Sequence, residues 1–235
     1  MRSGNAYPAQ KTSEVSWDEL HQFREEHASL HTDYQGIQWE YITGGGGSQV
    51  LLILPGAFRR AESAFHFIRL FEDTYRIIAP SYPPLSTVER MVDGIVHFLS
   101  LEGVQTAFIL GQSYGGWIGQ LLVRCHPAMF SRLVLSSTGP LVSTTRERSL
   151  LPKVLKLLPI LPMSLVKGLL AKGFRTELAH FPAAVRPFWE AYSAELFSRM
   201  SRADILSHFQ VAQDAVKRGL MFNPGERSLW QGRLL

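Results

Sequence analysis

The chain has 235 residues, enough for one sizeable core, and its 46% hydrophobic and 19% charged composition is that of a globular protein rather than a disordered or fibrous one. The formal charge of +4 is spread along the chain with no Lys/Arg run interleaved with aromatics, which argues against a nucleic-acid partner. Cys125 is the single cysteine, so no internal disulfide can form; at the end of a predicted helix it reads as a small, partly packed residue.

Residues 1–35 are polar and read as an N-terminal extension. They contain no apolar run of the signal-peptide kind, so the expectation is a soluble, cytoplasmic protein. Within them residues 17–24 predict a short amphipathic helix capped by Ser16. His27 and His31 have the i, i+4 spacing that can hold a metal on a helix face. Without the inner glutamate of H-E-x-x-H they read as two solvated histidines, and no metal is expected.

Residues 38–43 alternate like a half-exposed strand, and Gly44-Gly-Gly-Gly-Ser48 reads as a hairpin turn or loop. No Lys-Ser/Thr follows it, so a phosphate-loop reading is set aside. Residues 49–54 are a continuous apolar run, as in a strand buried on both faces of a parallel sheet, and they end at Pro55-Gly56-Ala57-Phe58. A helix is predicted over 61–72 and a second buried strand over 75–79, ending at Pro80-Ser-Tyr-Pro-Pro84. Residues 87–100 carry Val88, Met91, Val92, Ile95, Val96 and Leu99 at helical spacing. A strand over 106–110 runs into Gly111-Gln112-Ser113-Tyr114-Gly115 and a helix over 117–123, and residues 132–136 form the next strand. Strands alternating with helices through short links predict an α/β fold with a mostly parallel sheet flanked by helices. Its ligand site would lie at the carboxyl ends of the strands, where the loops 55–59, 80–85 and 111–115 fall.

From residue 140 to about residue 225 leucines, prolines and basic residues dominate, in helical patterns that predict a lid inserted over the strand ends. The greasiest stretch, residues 150–170, is interrupted by Pro152, Pro159, Pro162, Lys153, Lys156 and Lys167, whereas a transmembrane helix needs about 20 largely unbroken apolar residues. An apolar lid favours acyl or lipid-like substrates, and its lysines could meet anionic head groups or a membrane surface. The plain alternative is an amphipathic lid that buries its leucines on the sheet domain. Residues 222–226 read as a turn and 229–235 as the start of a further core strand. The expected organisation is therefore an extension over 1–35, a core over 36–139, a lid over 140–225 and the start of a strand over 226–235.

A serine between two glycines, in a tight turn from strand to helix, is the context of a nucleophile elbow. Gly111 and Gly115 meet the demand for tiny side chains two positions before and after the nucleophile. Ser113 would project above the sheet at the positive end of the following helix. From about residue 38 onward the chain resembles the α/β-hydrolase superfamily, and its segments 75–83 and 109–117 are similar to those of maspardin-type members.

The resemblance implies the α/β-hydrolase fold with a helical lid, and an ester-cleaving activity with Ser113 as nucleophile. The backbone N–H groups of Tyr114 and Ala57 would hold the oxyanion, with Phe58 N–H as the other choice for the second donor. Gly56, Phe58, Gln112 and Tyr82 would contact substrate; Pro55-Gly56 stands where many relatives have His-Gly. No cofactor is implied.

The superfamily order of serine, acid, histidine places the last two beyond Leu235, so the fold is expected to be incomplete at its C-terminal end. His66, His97, His126 and His180 lie on the wrong elements to serve. His208, with Asp204 four residues earlier on one helix face, reads as part of a solvated lid surface. Two further readings stay open: a non-catalytic interaction scaffold, and a site completed by a protein partner or a second copy in a dimer.

Overall fold

The computed structural model describes residues 15–141 and 145–221. The turn and strand expected after residue 221 lie outside the described residues, as does the polar stretch before Val15. The chain begins with α1 (Trp17–Glu26), capped by Ser16 Oγ, which accepts from Glu19 N–H at 3.2 Å. It continues into β1 (Leu30–Tyr34) and β2 (Ile37–Gly44). These two form an antiparallel hairpin whose two-residue turn is Gln35-Gly36, both with positive φ, as a tight hairpin turn requires. The polar first 35 residues thus supply a helix and an edge strand. α1 ends at Glu26 and His31 lies in β1, so His27 and His31 do not share a helix face; His27 Nε2 instead meets Glu72 Oε2 at 2.6 Å.

Next come β3 (Val50–Leu54), a 3-10 turn (Ala61–Ala64), α2 (Phe65–Phe71) and β4 (Arg76–Ser81). α3 (Val88–Leu101), β5 (Ala107–Gln112), α4 (Tyr114–Cys125) and β6 (Phe130–Ser136) complete the sheet region. The strand order is β1-β2-β4-β3-β5-β6, with β2 antiparallel to both neighbours and β4, β3, β5 and β6 parallel. The glycine run after β2 is therefore a loop between strands that are not neighbours, rather than a hairpin. Its Gly47 lies so close to Thr74 that a Cβ would come within 2.1 Å of the Thr74 carbonyl oxygen.

All five residues of β3 are buried, and their alternation feeds two cores. Val50, Leu52 and Leu54 point to the side of α3 and α4, where they join Val88, Met91, Ile95 and Phe98. Leu51 and Ile53 point to the side of α1 and α2, with Leu20, Phe23, Phe65 and Ile68. α3 crosses so near Trp39 that a Cβ on Gly94 would stand 2.0 Å from the indole, which fixes a glycine inside an otherwise apolar helix. Cys125 is exposed, not packed, because it falls in the last turn of α4, after the sheet-facing Leu121 and Leu122.

Beyond the sheet lie four helices: α5 (Thr145–Leu157), α6 (Met163–Leu178), α7 (Arg186–Arg199) and α8 (Arg202–Lys217). α7 is tied to the first helix through Arg24, which pairs with Glu62 at 3.0 Å and Glu195 at 2.9 Å. α8 docks on the start of α3: Asp214 Oδ2 accepts the Val88 N–H at 2.9 Å, taking one of the donors that every helix leaves open at its N-terminus. Among the described residues no helix is long and apolar enough to cross a membrane.

Candidate functional site

At Ser113 φ is 49° and ψ is −114°, a conformation that non-glycine residues avoid. Packing on all sides holds it there. A Cβ on Gly111 would approach Gly116 Cα to 2.6 Å, and one on Gly115 would approach the Leu54 carbonyl oxygen to 2.1 Å, so β5, α4 and the end of β3 meet with no room for side chains. Ser113 N–H donates to Ser136 O at 2.9 Å, anchoring the turn to β6. The Ser113 hydroxyl does not cap α4 and is exposed, while Ser113 O accepts from Gly116 N–H at 3.0 Å.

The second loop is the turn after β3. Arg59 N–H donates to Gly56 O at 3.0 Å, closing a four-residue turn with Ala57 and Phe58 at its centre, the two positions whose N–H groups the turn bond does not use. Gly56 faces the elbow: a Cβ there would lie 3.5 Å from Gln112 O and 3.6 Å from Ser113 Cβ.

Ala57, Ser113 and Tyr114 share the wall of one cavity of about 530 Å³. Ser137 and Thr138, just past β6, add hydroxyls beside them, and Ser137 also has a positive φ of 50°. Most of the remaining wall is apolar and comes from the four helices: Leu151, Leu170, Phe197, Met200, Ile205, Phe209, Ala212 and Val216. Arg148 stands at the cavity as well.

Of the residues expected to touch substrate, Gly56 packs against the elbow and Gln112 is part of it, and neither is in the cavity wall. Phe58 packs edge-on against Phe174 and Phe197 at ring separations of 4.9 and 5.1 Å, and so reaches the cavity only through the wall residue Phe197. Tyr82 sits behind the wall. It is buried, its hydroxyl donates to Pro55 O at 3.1 Å, and its ring meets Tyr114 edge-on at 5.9 Å. It supports the turn from beneath rather than lining the space above it. Burial pushes both the Tyr82 and Tyr114 phenols above their ordinary pKa, so both stay neutral.

His208 departs from the sequence expectation. It is not on a solvated surface: its ring lies 3.8 Å from that of Tyr114 and forms part of the cavity wall. Asp204 does not orient it either, because the Asp204 carboxylate accepts from Ser201 N–H at 2.8 Å in the capping box of α8. His208 Nδ1 stands 3.4 Å from the Asp204 carbonyl oxygen and, closer, 3.1 Å from Arg59 Nη1. Arginine can only donate, so Nδ1 accepts and the ring proton is assigned to Nε2, which has no hydrogen-bond partner. Burial, and then the adjacent guanidinium, push the His208 pKa down to about 3.

Arg59 is the residue that sequence reasoning missed. It stands in the left-handed region at φ 66° and is only 2% exposed. Its Nη2 donates to Pro83 O at 2.6 Å and to Ser207 Oγ at 3.0 Å, and its Nε reaches Tyr82 O at 3.4 Å. Ser207 Oγ in turn accepts from Leu85 N–H at 3.0 Å and donates to Leu85 O. One buried guanidinium thus joins the turn after β3, the loop after β4 and helix α8. Beside Arg60, in sequence, Arg59 looks like half of an exposed basic pair. The cavity stripe of α8 was better signalled, since residues 205, 208, 209, 212 and 216 fall at helical spacing.

No protein-family model matches the chain. Its fold is that of the α/β hydrolases. A hydrolase from Pseudomonas aeruginosa superposes with a TM-score of 0.63 at 20% identity, covering 83% of this chain and 77% of that one. MGS-M2, an α/β-hydrolase enzyme from a Medee basin deep-sea metagenome, superposes with a TM-score of 0.60 at 17% identity, covering 79% and 71%. In sequence the chain is similar to epoxide hydrolase 4 of Mus musculus, 23% identical over 121 residues, which make up 46% of this chain and 34% of that protein. It is also 26% identical over 117 residues to the dihydrolipoyllysine-residue acetyltransferase component of the acetoin cleaving system of Cupriavidus necator, covering 46% of this chain and 31% of the relative. The matches thus span about a third of either relative's length.

Proposed function

We propose that this α/β-hydrolase-fold protein cleaves a carboxylic ester or a related acyl substrate through Ser113. The observation that carries the reading is the strained, exposed Ser113, its hydroxyl not spent on capping α4, at the floor of a mainly apolar cavity. Strain of this kind costs about 1–3 kcal/mol and persists where the surroundings over-determine it.

In this reading Ser113 Oγ gives its proton to a general base and attacks the acyl carbon; collapse of the tetrahedral intermediate breaks the acyl C–O bond, the alcohol leaves with that proton, and water then hydrolyses the acyl-enzyme. The developing oxyanion is met by Tyr114 N–H at the start of α4 and by Ala57 N–H in the turn after β3. Each such donor is typically worth about 10²–10³ in rate. The acyl chain would lie along the leucines, Phe197 and Phe209 that the four helices supply, which makes those helices a cap over the site.

His208 is not assigned as the base. With Nδ1 taken by Arg59, its Nε2 carries a proton and has no lone pair to offer the serine. No acid or histidine partner is assigned to Ser113 from the described residues. The same observation favours a second reading, a non-catalytic scaffold that keeps the elbow without a base. Labelling of the full-length protein with a fluorophosphonate separates the two. Expected is one adduct, mapped to Ser113 and absent from Ser113→Ala; a folded protein that takes no label overturns the hydrolase reading.

A further inference from the structure

The leucines of α5 and α6 divide into two sets, and the outward set is left exposed by the described residues. Leu151 and Leu170 face the cavity, and Leu158 and Val166 are buried in a small core with Met200 and Ile205. Leu150, Leu157, Ile160, Leu165 and Leu169 are exposed, Ile160 to 76%. These five are among nine large apolar side chains exposed across the described residues, so more than half of that surface falls within twenty consecutive positions. The spacing is regular: Leu150, Lys153 and Leu157 follow one stripe of α5, Leu165, Leu169 and Lys172 follow one stripe of α6, and Ile160 tips the turn between them.

The charge of the same segment has one sign. Residues 148–176 contain Arg148, Lys153, Lys156, Lys167, Lys172 and Arg175 and no aspartate or glutamate. Lys167 Nζ donates to Ser198 O at 2.8 Å and so braces α6 against α7, whereas Lys153, Lys156, Lys172 and Arg175 are exposed. Exposed leucines flanked by cations, with acids excluded over 29 residues, match a surface that is apolar in depth and anionic at its face. Protein interfaces, by contrast, are depleted in lysine and enriched in aromatic residues relative to the rest of the surface.

We infer that the outward face of the α5–α6 hairpin docks on an anionic membrane, with Ile160 and its neighbouring leucines entering the acyl boundary and the lysines meeting head groups. The inner faces of the same two helices wall the cavity, so docking would set the cavity beside the lipid. The inference holds whether or not Ser113 is a nucleophile.

The test is flotation of the full-length protein with phosphatidylcholine vesicles and with vesicles carrying phosphatidylserine, at low and at high salt. Expected is flotation with the phosphatidylserine vesicles alone, lost on raising the salt, because attraction to anionic lipid is screened beyond the Debye length. Replacing Lys153, Lys156 and Lys172 by glutamine should lower the partition coefficient about a hundredfold, at roughly fivefold per basic residue. The set Leu157→Ser, Ile160→Ser, Leu165→Ser and Leu169→Ser should abolish binding. All these side chains are exposed, so the unfolding midpoint should not move, and a variant that keeps its midpoint is a valid reading. Absence of flotation by the native protein overturns the inference, as does binding that survives both sets of substitutions. So does a dimer in size exclusion that the serine variants convert to monomer without any vesicle binding, since the face would then be covered by a second copy.

Discussion

Replacing Arg59 by methionine should release α8 from the turn after β3. The side chain is 2% exposed and holds the Pro83 and Tyr82 carbonyls, Ser207 Oγ and His208 Nδ1. Methionine fills much of the volume but satisfies none of these acceptors. Each hydrogen bond to a charged group contributes about 1.5–3 kcal/mol, and breaking a buried ionic node by removing one side costs about 3–5 kcal/mol. Asp204 Oδ1 stands 3.9 Å away and is a quarter exposed, so water can stabilise it after the change, which favours the lower end of that range. With a urea slope of about 3 kcal/mol/M for a protein of this size, a loss near 3 kcal/mol lowers the midpoint by about 1 M.

Urea denaturation followed by circular dichroism measures this shift, and a cycle with Ser207→Ala locates it. If the two side chains act through one node, the double variant should lose less than the sum of the singles, by about 1–3 kcal/mol. The ring of His208 offers an independent readout. Without the guanidinium beside it, its pKa should rise from about 3, by an amount observable in its NMR titration. A midpoint unchanged within error, with additive single losses, would refute the assignment of Arg59 as the node.

Ser113→Gly should remove fluorophosphonate labelling and yet raise stability. Glycine accepts φ 49° without the cost borne by serine, so after its extra chain entropy a gain of about 1 kcal/mol, or roughly 2–4 °C in the melting midpoint, is expected by calorimetry; a lower midpoint would mean that the strain at this position is not real. The protein should also lose stability in mild acid. Burial lowers the His66 pKa to about 4 and, with Arg59, that of His208 to about 3, whereas both histidines titrate near 6.5 when unfolded. The unfolded chain therefore binds up to two more protons than the native one below pH 6.5, so stability is full above that pH and falls as pH drops. Linkage gives a loss of about 3 kcal/mol between pH 6.5 and 5, and His66→Phe should halve it; a flat profile over this window would contradict the burial of both rings.

The unbroken apolar run of β3, the periodicity of α3 and the glycines about Ser113 carry the sheet region in the sequence itself, because each answers a local demand that a short window displays. β1 escaped for a related reason: it is an edge strand with little buried surface, and its Gln35-Gly36 turn lacks the Asn-Gly or Asp-Gly signal of a tight hairpin. The partners of Arg59 lie 23 to 149 positions away, so nothing beside it in the chain distinguishes it from Arg60. His208 was misplaced because its pairing with Asp204 was read along the helix, while the backbone of α8 had already claimed that carboxylate for its cap. Long-range polar contacts of this kind leave no period to count.

This division has a consequence for the site. The elbow is fixed by backbone contacts among β3, β5, α4 and β6, where even a methyl group at Gly115 would collide with Leu54. The cavity above it is shaped by side chains of helices held to the sheet region by apolar packing, as of Val211 and Trp189, and by polar ties through Arg59, Ser207 and Asp214. Loosening those ties would move the roof without disturbing the φ of Ser113. In the hydrolase reading, changes at Arg59 or Ser207 should therefore appear first in KM and in the preference for acyl length. Changes at Gly111 or Gly115 should abolish the folded elbow and activity together. Arg59 closes the turn that would supply the second oxyanion donor, so it joins the two behaviours. It is the position from which a shift of the roof could reach the chemistry, because the same backbone that presents Ala57 N–H is held by the guanidinium that grips α8.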